Sequence, residues 1–265
     1  MPFKEAQRMI YKKNPLDQVV CQLRFPCILS INEKPPATFQ DCLRDQYPFY
    51  NVTTENVRRV LFEPDSDGLP FNISPDNLNN YSFTSDDGVW VINLTSTFLS
   101  LTTTNYLKWE DFIARLRKIL AVLIEIYKPV FFERVGLRYI DVFCPSRLGL
   151  KDVAWDELIQ PFVLGFLSCN DVKNDVTGYS GTSELDIGNG AIARIITALG
   201  YAKNSDKQPI TNSELSFIVD SDLFFGKKYT HETEDAIEEL HRHSTKIIRA
   251  IITDKLHHAM EPESK

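Results

Sequence analysis

The sequence predicts an α+β fold made of two related halves, each an antiparallel sheet with a long amphipathic helix packed on one face. Three observations carry this expectation. Runs rich in β-formers come in threes and are joined by Asp-Gly and Gly-Asn-Gly turns; each group of three is followed by a stretch with apolar residues at helical spacing; and the regular β-α-β alternation of a doubly wound sheet is missing. The halves are placed at residues 1–145 and 146–265, packed as one unit, and a degenerate internal duplication is expected.

In the first half, Val19-Val20-Cys21-Gln22-Leu23-Arg24-Phe25 reads as a strand stopped by Pro26. Phe39, Leu43 and Tyr47 recur every four residues between Pro36 and Pro48, which predicts a short helix. Residues 51–79 are the most loop-like part of the chain, with a weak strand around Val57–Phe62. Tyr81–Thr84 and Val89–Leu94 flank Ser85-Asp86-Asp87-Gly88 and predict a hairpin, because Asp-Gly tolerates positive φ. Phe98–Thr103 supplies the third strand. From Trp109 to Tyr127 the residues Phe112, Leu116, Ile119, Leu120 and Leu123 share one helical face, and Lys128-Pro129 ends the helix. Phe131–Phe143 then reads as a long strand broken by Cys144-Pro145.

The second half opens with Trp155–Leu167, read as a helix weakened by Pro161 and Gly165. Thr182–Ile187 and Ala191–Leu199, joined by Gly188-Asn189-Gly190, predict a second hairpin. Lys203–Gln208 is a polar connector and Glu214–Asp220 the third strand. Ile237, Leu240, Ile247, Ile251 and Leu256 form one stripe from Glu234 to Met260 and predict a single long closing helix.

Composition narrows the function classes. The net charge is -7, and basic residues are interleaved with acidic ones, which disfavours nucleic acid because a phosphate backbone needs a concentrated positive face. The N-terminal segment lacks the apolar run of a secretory signal, and no window reaches the roughly 18 apolar residues of a membrane span. A cytoplasmic protein with no membrane association is therefore expected. The five cysteines are scattered without a C-x-x-C pair and read as reduced, mostly buried thiols. No metal site and no cofactor are expected. His241 and His243 would point about 200° apart on a helix and His257 and His258 about 100° apart, so these histidines read as a solvated helix surface.

No catalytic residues emerge: G-x-S-x-G, H-E-x-x-H and kinase-like sets are all missing, and Gly188-Asn189-Gly190 has no further glycine, lysine or helix start behind it. One strand stands above background. Period-two geometry puts Phe132, Arg134, Gly136, Arg138 and Ile140 on one face, with the two arginine Cα atoms about 13 Å apart. Their guanidinium forks could converge over Gly136 on a carboxylate or phosphate, joined by Arg24 if the strands are neighbours. The competing reading is that the arginines pair internally with carboxylates of adjacent strands. Tyr106 and Trp109 are the candidates for a partner surface, being residue types enriched at hot spots.

Asn14-Pro15-Leu16 with the first strand, Phe98-Leu99-Ser100-Leu101-Thr102-Thr103, Tyr106, Trp109-Glu110-Asp111-Phe112 and Arg134-Val135-Gly136-Leu137-Arg138-Tyr139-Ile140 together resemble a sporadically distributed family of hypothetical prokaryotic proteins. The likeness covers residues 1–145; the second half resembles the family in length and terminal helix. Asp141 stands where that family's strand motif would have Asn. The resemblance implies a fold grouping and no catalytic residues, and the family's patchy distribution is similar to that of genes in mobile defence or toxin-antitoxin loci. The expected function is thus a non-catalytic binding or interaction protein with a protein partner and a homodimeric state. The alternative is an enzyme or sensor for a phosphorylated or nucleotide ligand clamped by Arg134 and Arg138.

Overall fold

Val19, Cys21 and Leu23 are fully buried while the residues between them are not, the signature of a strand with one face on a core and one towards solvent. The computed structural model describes residues 3–60, 73–201, 214–226, 229 and 233–264; at 55–60, 73–78 and 264 only the strand is described. In chain order, β1 (Met9–Tyr11) and β2 (Leu16–Arg24) lead to α1 (Leu29–Glu33) and α2 (Ala37–Leu43). A meander of β3 (Phe49–Val60), β4 (Ile73–Thr84), β5 (Trp90–Leu94) and β6 (Phe98–Thr103) ends in α3 (Trp109–Tyr127). Next come β7 (Arg134–Phe143), α4 (Pro145–Leu148), α5 (Trp155–Leu158), β8 (Ser180–Gly188), β9 (Ala191–Tyr201) and β10 (Leu215–Phe225). The chain closes with α6 (Thr233–Ile251), α7 (Asp254–Ala259) and β11 (Pro262–Ser264).

The protein is α+β. Among the described residues, nine strands form one antiparallel sheet in the order β3-β4-β5-β6-β2-β7-β10-β9-β8, and β1 pairs with β11 as a separate ribbon. The sheet is continuous across residue 145, since β7 is paired with β2 on one side and β10 on the other. Both long helices, α3 and α6, have 19 residues and lie over the same face. Phe112, Leu116, Ile119 and Leu123 of α3 and Ile237, Leu240, Ile247 and Ile251 of α6 are buried there. Each such side chain contributes about 1.5–3 kcal/mol of transfer free energy. Polar contacts join the helices: Trp109 Nε1 donates to both Glu238 oxygens at 3.0 and 2.9 Å, and Arg117 meets Glu234 at 2.9 Å.

Both predicted hairpins form. Gly88 (φ 74°) completes the turn after β4, where Ser85 Oγ accepts from Trp90 N at 3.0 Å, and Asn189 (φ 54°) and Gly190 (φ 79°) take the left-handed conformation between β8 and β9. Lys128 (φ 48°) ends α3 at the predicted place, its N–H donating to Ile124 O.

Four expectations are corrected. The loop-like stretch 51–79 holds most of a long hairpin, because β3 and β4 pair from Phe49/Thr84 to Val60/Ile73 and the ladder outweighs the polar composition. Trp155–Leu167 is one turn of α-helix followed by 3₁₀ turns at Pro161–Val163 and Gly165–Ser168, since Pro161 has no N–H to continue the ladder and Gly165 adopts φ 53°. The closing helix is interrupted: Ile252 forms a bridge with Ile159, and Thr253 restarts the chain as the N-cap of α7. Of the cysteines, only Cys21 and Cys144 are buried, while Cys27, Cys42 and Cys169 are exposed. The predicted connector Lys203–Gln208 lies outside the described residues.

Thr253 Oγ1 accepts from Leu256 N and donates to the carbonyls of Glu157 and Leu158 at 2.8 and 3.1 Å, so one hydroxyl caps α7 and pins it to α5. Thr253→Ala is expected to cost about 1–2 kcal/mol. Calorimetry should show a melting temperature lower by roughly 2–6 °C; an unchanged melt would refute the cap.

Candidate functional site

Alternation along β7 sorts its side chains. Val135, Leu137, Tyr139, Asp141 and Phe143 face the helices and are buried, while Arg134 and Arg138 lie on the open face. On that open face the guanidinium of Arg134 reaches across Gly136, where a Cβ would stand 2.1 Å from its Nη1, and meets both oxygens of Asp222 at 2.7 and 2.8 Å. It also lies 4.6 Å from the ring centre of Phe224. Arg138 donates from Nε to Asp220 at 2.7 Å and from Nη2 to the second oxygen of the same carboxylate. Arg24 is exposed with its Cα opposite that of Arg134, but Arg134 extends the other way along the sheet. The predicted convergence over Gly136 is thus half realised: one guanidinium sits there, and aspartates of β10 take the places offered to an anionic ligand.

Tyr106 and Trp109 lie under the surface. Trp109 is 4% exposed and stacks on the His241 ring with centroids 4.0 Å apart and planes 6° from parallel. Tyr106 is partly buried against Phe112 and Tyr139. The view of these two as exposed anchors is corrected: they stand where α3 begins over the sheet, and that end of the helix is covered by α6. The solvated reading holds for His258, which is exposed, and is corrected for three other histidines. His241, His243 and His257 are each 8% exposed because α6 and α7 turn them towards the sheet or the N-terminal segment; His231 lies outside the described residues. Among the described residues, no three His, Cys, Asp or Glu side chains gather to hold a metal ion, and no helix is long and apolar enough to cross a membrane.

What the structure brings together instead is a cavity of about 100 Å³ between β7, β10, α6 and the segment that carries β1. Its floor is Tyr139 and Asp141 of β7 with Ser221 of β10; its roof is Ser244 and Ile248 of α6; Tyr11 and Tyr106 close its sides. The bulge in β2 between Leu16 and Gln18 lies beside Asp141, whose Cα is opposite Leu16, so the ladder is irregular where the cavity opens.

Asp141 is 6% exposed, and among the described residues its carboxyl has no hydrogen-bond or ion-pair partner. Burial alone pushes its pKa up to about 7. Ser221, 4% exposed, is likewise without a side-chain partner among them. Two tyrosine hydroxyls of the lining are engaged. Tyr139 Oη bonds His241 Nδ1 at 2.8 Å, and Tyr11 Oη bonds His257 Nδ1 at 2.8 Å. Burial lowers the pKa of His241 to about 3 and raises those of Tyr11 to about 12 and Tyr139 well above its ordinary value. His241 is therefore neutral, with Nε2 buried and unpartnered. Around the mouth, Arg8 pairs with Glu110 at 2.8 and 2.9 Å, Lys108 with Asp111 at 3.5 Å, and Arg249 with Asp254.

The sequence reading missed Asp141 as a site residue. The signal was its register, a carboxylate at an otherwise apolar, odd-numbered position of the strand.

Two outcomes follow. Replacing Arg134 by Ala strands Asp222, one-quarter exposed, and is expected to cost about 1–3 kcal/mol; thermal melts should show that loss with no stabilisation by inorganic phosphate in the wild type, and a phosphate shift abolished by Arg134→Ala would reverse the assignment. For Asp141, the unfolded chain releases its proton near pH 4 and the folded chain near pH 7, so the folded state binds more protons in between. Stability should fall by roughly 4 kcal/mol as pH rises from about 4 to about 7 and stay at the lower level above. Asp141→Asn should remove that slope and be the more stable protein at pH 8 in denaturant titrations; equal slopes would show that Asp141 does not hold its proton. No family model and no curated protein matches the chain, so its functional reading rests on this geometry.

Proposed function

We propose that this chain is a non-catalytic binding protein that takes its ligand in the cavity between β7, β10 and α6. The observation that carries the proposal is Asp141: a carboxyl without a partner among the described residues, 6% exposed, lining a cavity with room for more than one water. Burying an unpaired carboxyl costs several kcal/mol, and such a cost persists where a site uses it. Tyr139 and His241 point the same way: both are held away from titration near neutral pH, which suits a shaped seat better than proton transfer. A place among proteins of mobile defence or toxin-antitoxin loci belongs to the same proposal and rests on the resemblance of residues 1–145.

We further infer that the two halves are related. The order β4-β5-β6-β2 on one side of the centre is matched by β8-β9-β10-β7 on the other. Each half runs as a central strand, short helices, a meander (four strands in the first half, three in the second) and a 19-residue helix. In this reading the repeat begins at β2 and again at β7, and the cavity lies beside the junction of the two copies.

Dialysis of the full chain against a metabolite and peptide extract is the test. Ser244→Met fills the roof of the cavity and should abolish retention of whatever the wild type enriches. A compound kept by the wild type, lost by the variant and recovered with unchanged mass supports binding. Conversion of that compound, or equal retention by both proteins, overturns it.

A further inference from the structure

We propose that the cavity at Asp141 is a receptor for a primary ammonium group, carried either by a small amine or by the lysine side chain of a peptide. This inference rests on the cavity being the binding site and adds the chemistry of the ligand. Three features select a cation. Among the described residues Asp141 is the only acidic side chain lining the cavity, and no cation is paired with it. The basic groups at the mouth do not supply that charge, because Arg8, Lys108 and Arg249 are each held by their own carboxylate, Glu110, Asp111 and Asp254. The walls include the rings of Tyr11, Tyr106 and Tyr139, whose quadrupoles favour a cation in a poorly hydrated space.

The hydrogen-bonding capacity matches an ammonium rather than an anion. The hydroxyls of Tyr11 and Tyr139 are already bonded to Nδ1 of His257 and of His241. On the floor, among the described residues, the carboxyl of Asp141 and the hydroxyl of Ser221 are without a side-chain partner, and both can accept. Their register, with Asp141 opposite Val219 and Ser221 opposite Tyr139, makes them diagonal neighbours on one face about 7–8 Å apart at Cα. An –NH₃⁺ between them offers three donors to the carboxylate and the hydroxyl oxygen. Apolar Leu16, Ile248 and Met260 line the remainder and suit a short alkyl chain behind the charge.

Binding is tied to pH through the same carboxyl. Of the groups packed around it, His241 of α6 has its pKa lowered to about 3 and that of His257 of α7 is lowered by burial, while Tyr11 of β1, Tyr106 and Tyr139 have raised ones and Arg8, paired with Glu110, has a raised one as well. An alkylammonium stays charged between about pH 6 and 8. Only the ionised form of Asp141 attracts it, so affinity follows that ionisation.

The probes are propylammonium, 1-propanol and propionate, which share a skeleton and differ in charge, together with Nα-acetyl-lysine methylamide. Calorimetric titration of the full chain should give one site for propylammonium, about tenfold tighter at pH 8 than at pH 6, with 1-propanol and propionate at least tenfold weaker. Asp141→Asn should weaken propylammonium at least tenfold. Saturating propylammonium should lower the titration midpoint of the Asp141 carboxyl carbon, followed by ¹³C NMR in the wild-type protein, by a full pH unit or more. If the lysine derivative binds more than tenfold tighter than propylammonium, the source is a peptide side chain; if weaker, a small amine. Equal affinity for 1-propanol and propylammonium, with loss of both in Ser244→Met, would overturn the ammonium assignment and leave the cavity as the binding site. No binding of any probe at pH 8, with an unmoved Asp141 midpoint, would overturn the ammonium assignment, while the dialysis comparison judges the cavity itself. Propylammonium binding that survives Asp141→Asn unchanged would also overturn the assignment.

Discussion

The pairing of β2 with β7 at the middle of the sheet is the constraint from which the rest follows. Both strands put alternate residues under the helices, and their register aligns Val19 with Tyr139, Cys21 with Leu137 and Leu23 with Val135. A slip of one residue would turn every one of these side chains to solvent and bring Gln22, Arg134 and Arg138 inside. The two long helices can cover only the face that this register makes apolar. Because antiparallel neighbours extend outward from the central pair on both sides, the same parity passes to β6 and β10.

That parity explains why the charged residues of β7 have opposite fates. Arg134 and Arg138 stand on the open face, where long side chains reach the aspartates of β10 and remain partly solvated. The pairs there organise a polar sheet surface, and the missing Cβ of Gly136 leaves the lane that Arg134 occupies. Asp141 has the opposite parity and comes under α6, where among the described residues no cation is paired with it. Its desolvation is a cost the fold bears at one point, beside the bulge in β2 and beneath the segment that leads into β1.

The aromatic and imidazole groups around the cavity give that point a fixed shape. Trp109, His241 and Tyr139 form a chain from the start of α3 through α6 to the sheet, by ring stacking and then a hydrogen bond. Tyr11 and His257 do the same between β1 and α7. Each partner restricts the rotamer of the next, so the space left beside Asp141 is set by the tertiary fold and not by one flexible loop.

Local periodicity and turn chemistry were enough to read the α+β class, the two hairpins, α3 with its end at Lys128 and the face of β7 that carries the arginines. The sequence also offered internal pairing as one reading of Arg134 and Arg138. Tertiary structure alone decided the rest. Which aspartates take the arginines depends on β10 lying next to β7, a pairing between segments about 80 residues apart that no local pattern encodes. The break at Ile252 comes from a bridge to Ile159, and the burial of Trp109 and three histidines comes from helices covering one another. Asp141 could be seen in the sequence as a carboxylate in an apolar register, but only the fold determined that none of the described residues pairs with it, since the partners available to a buried charge are set by what the packing brings within reach.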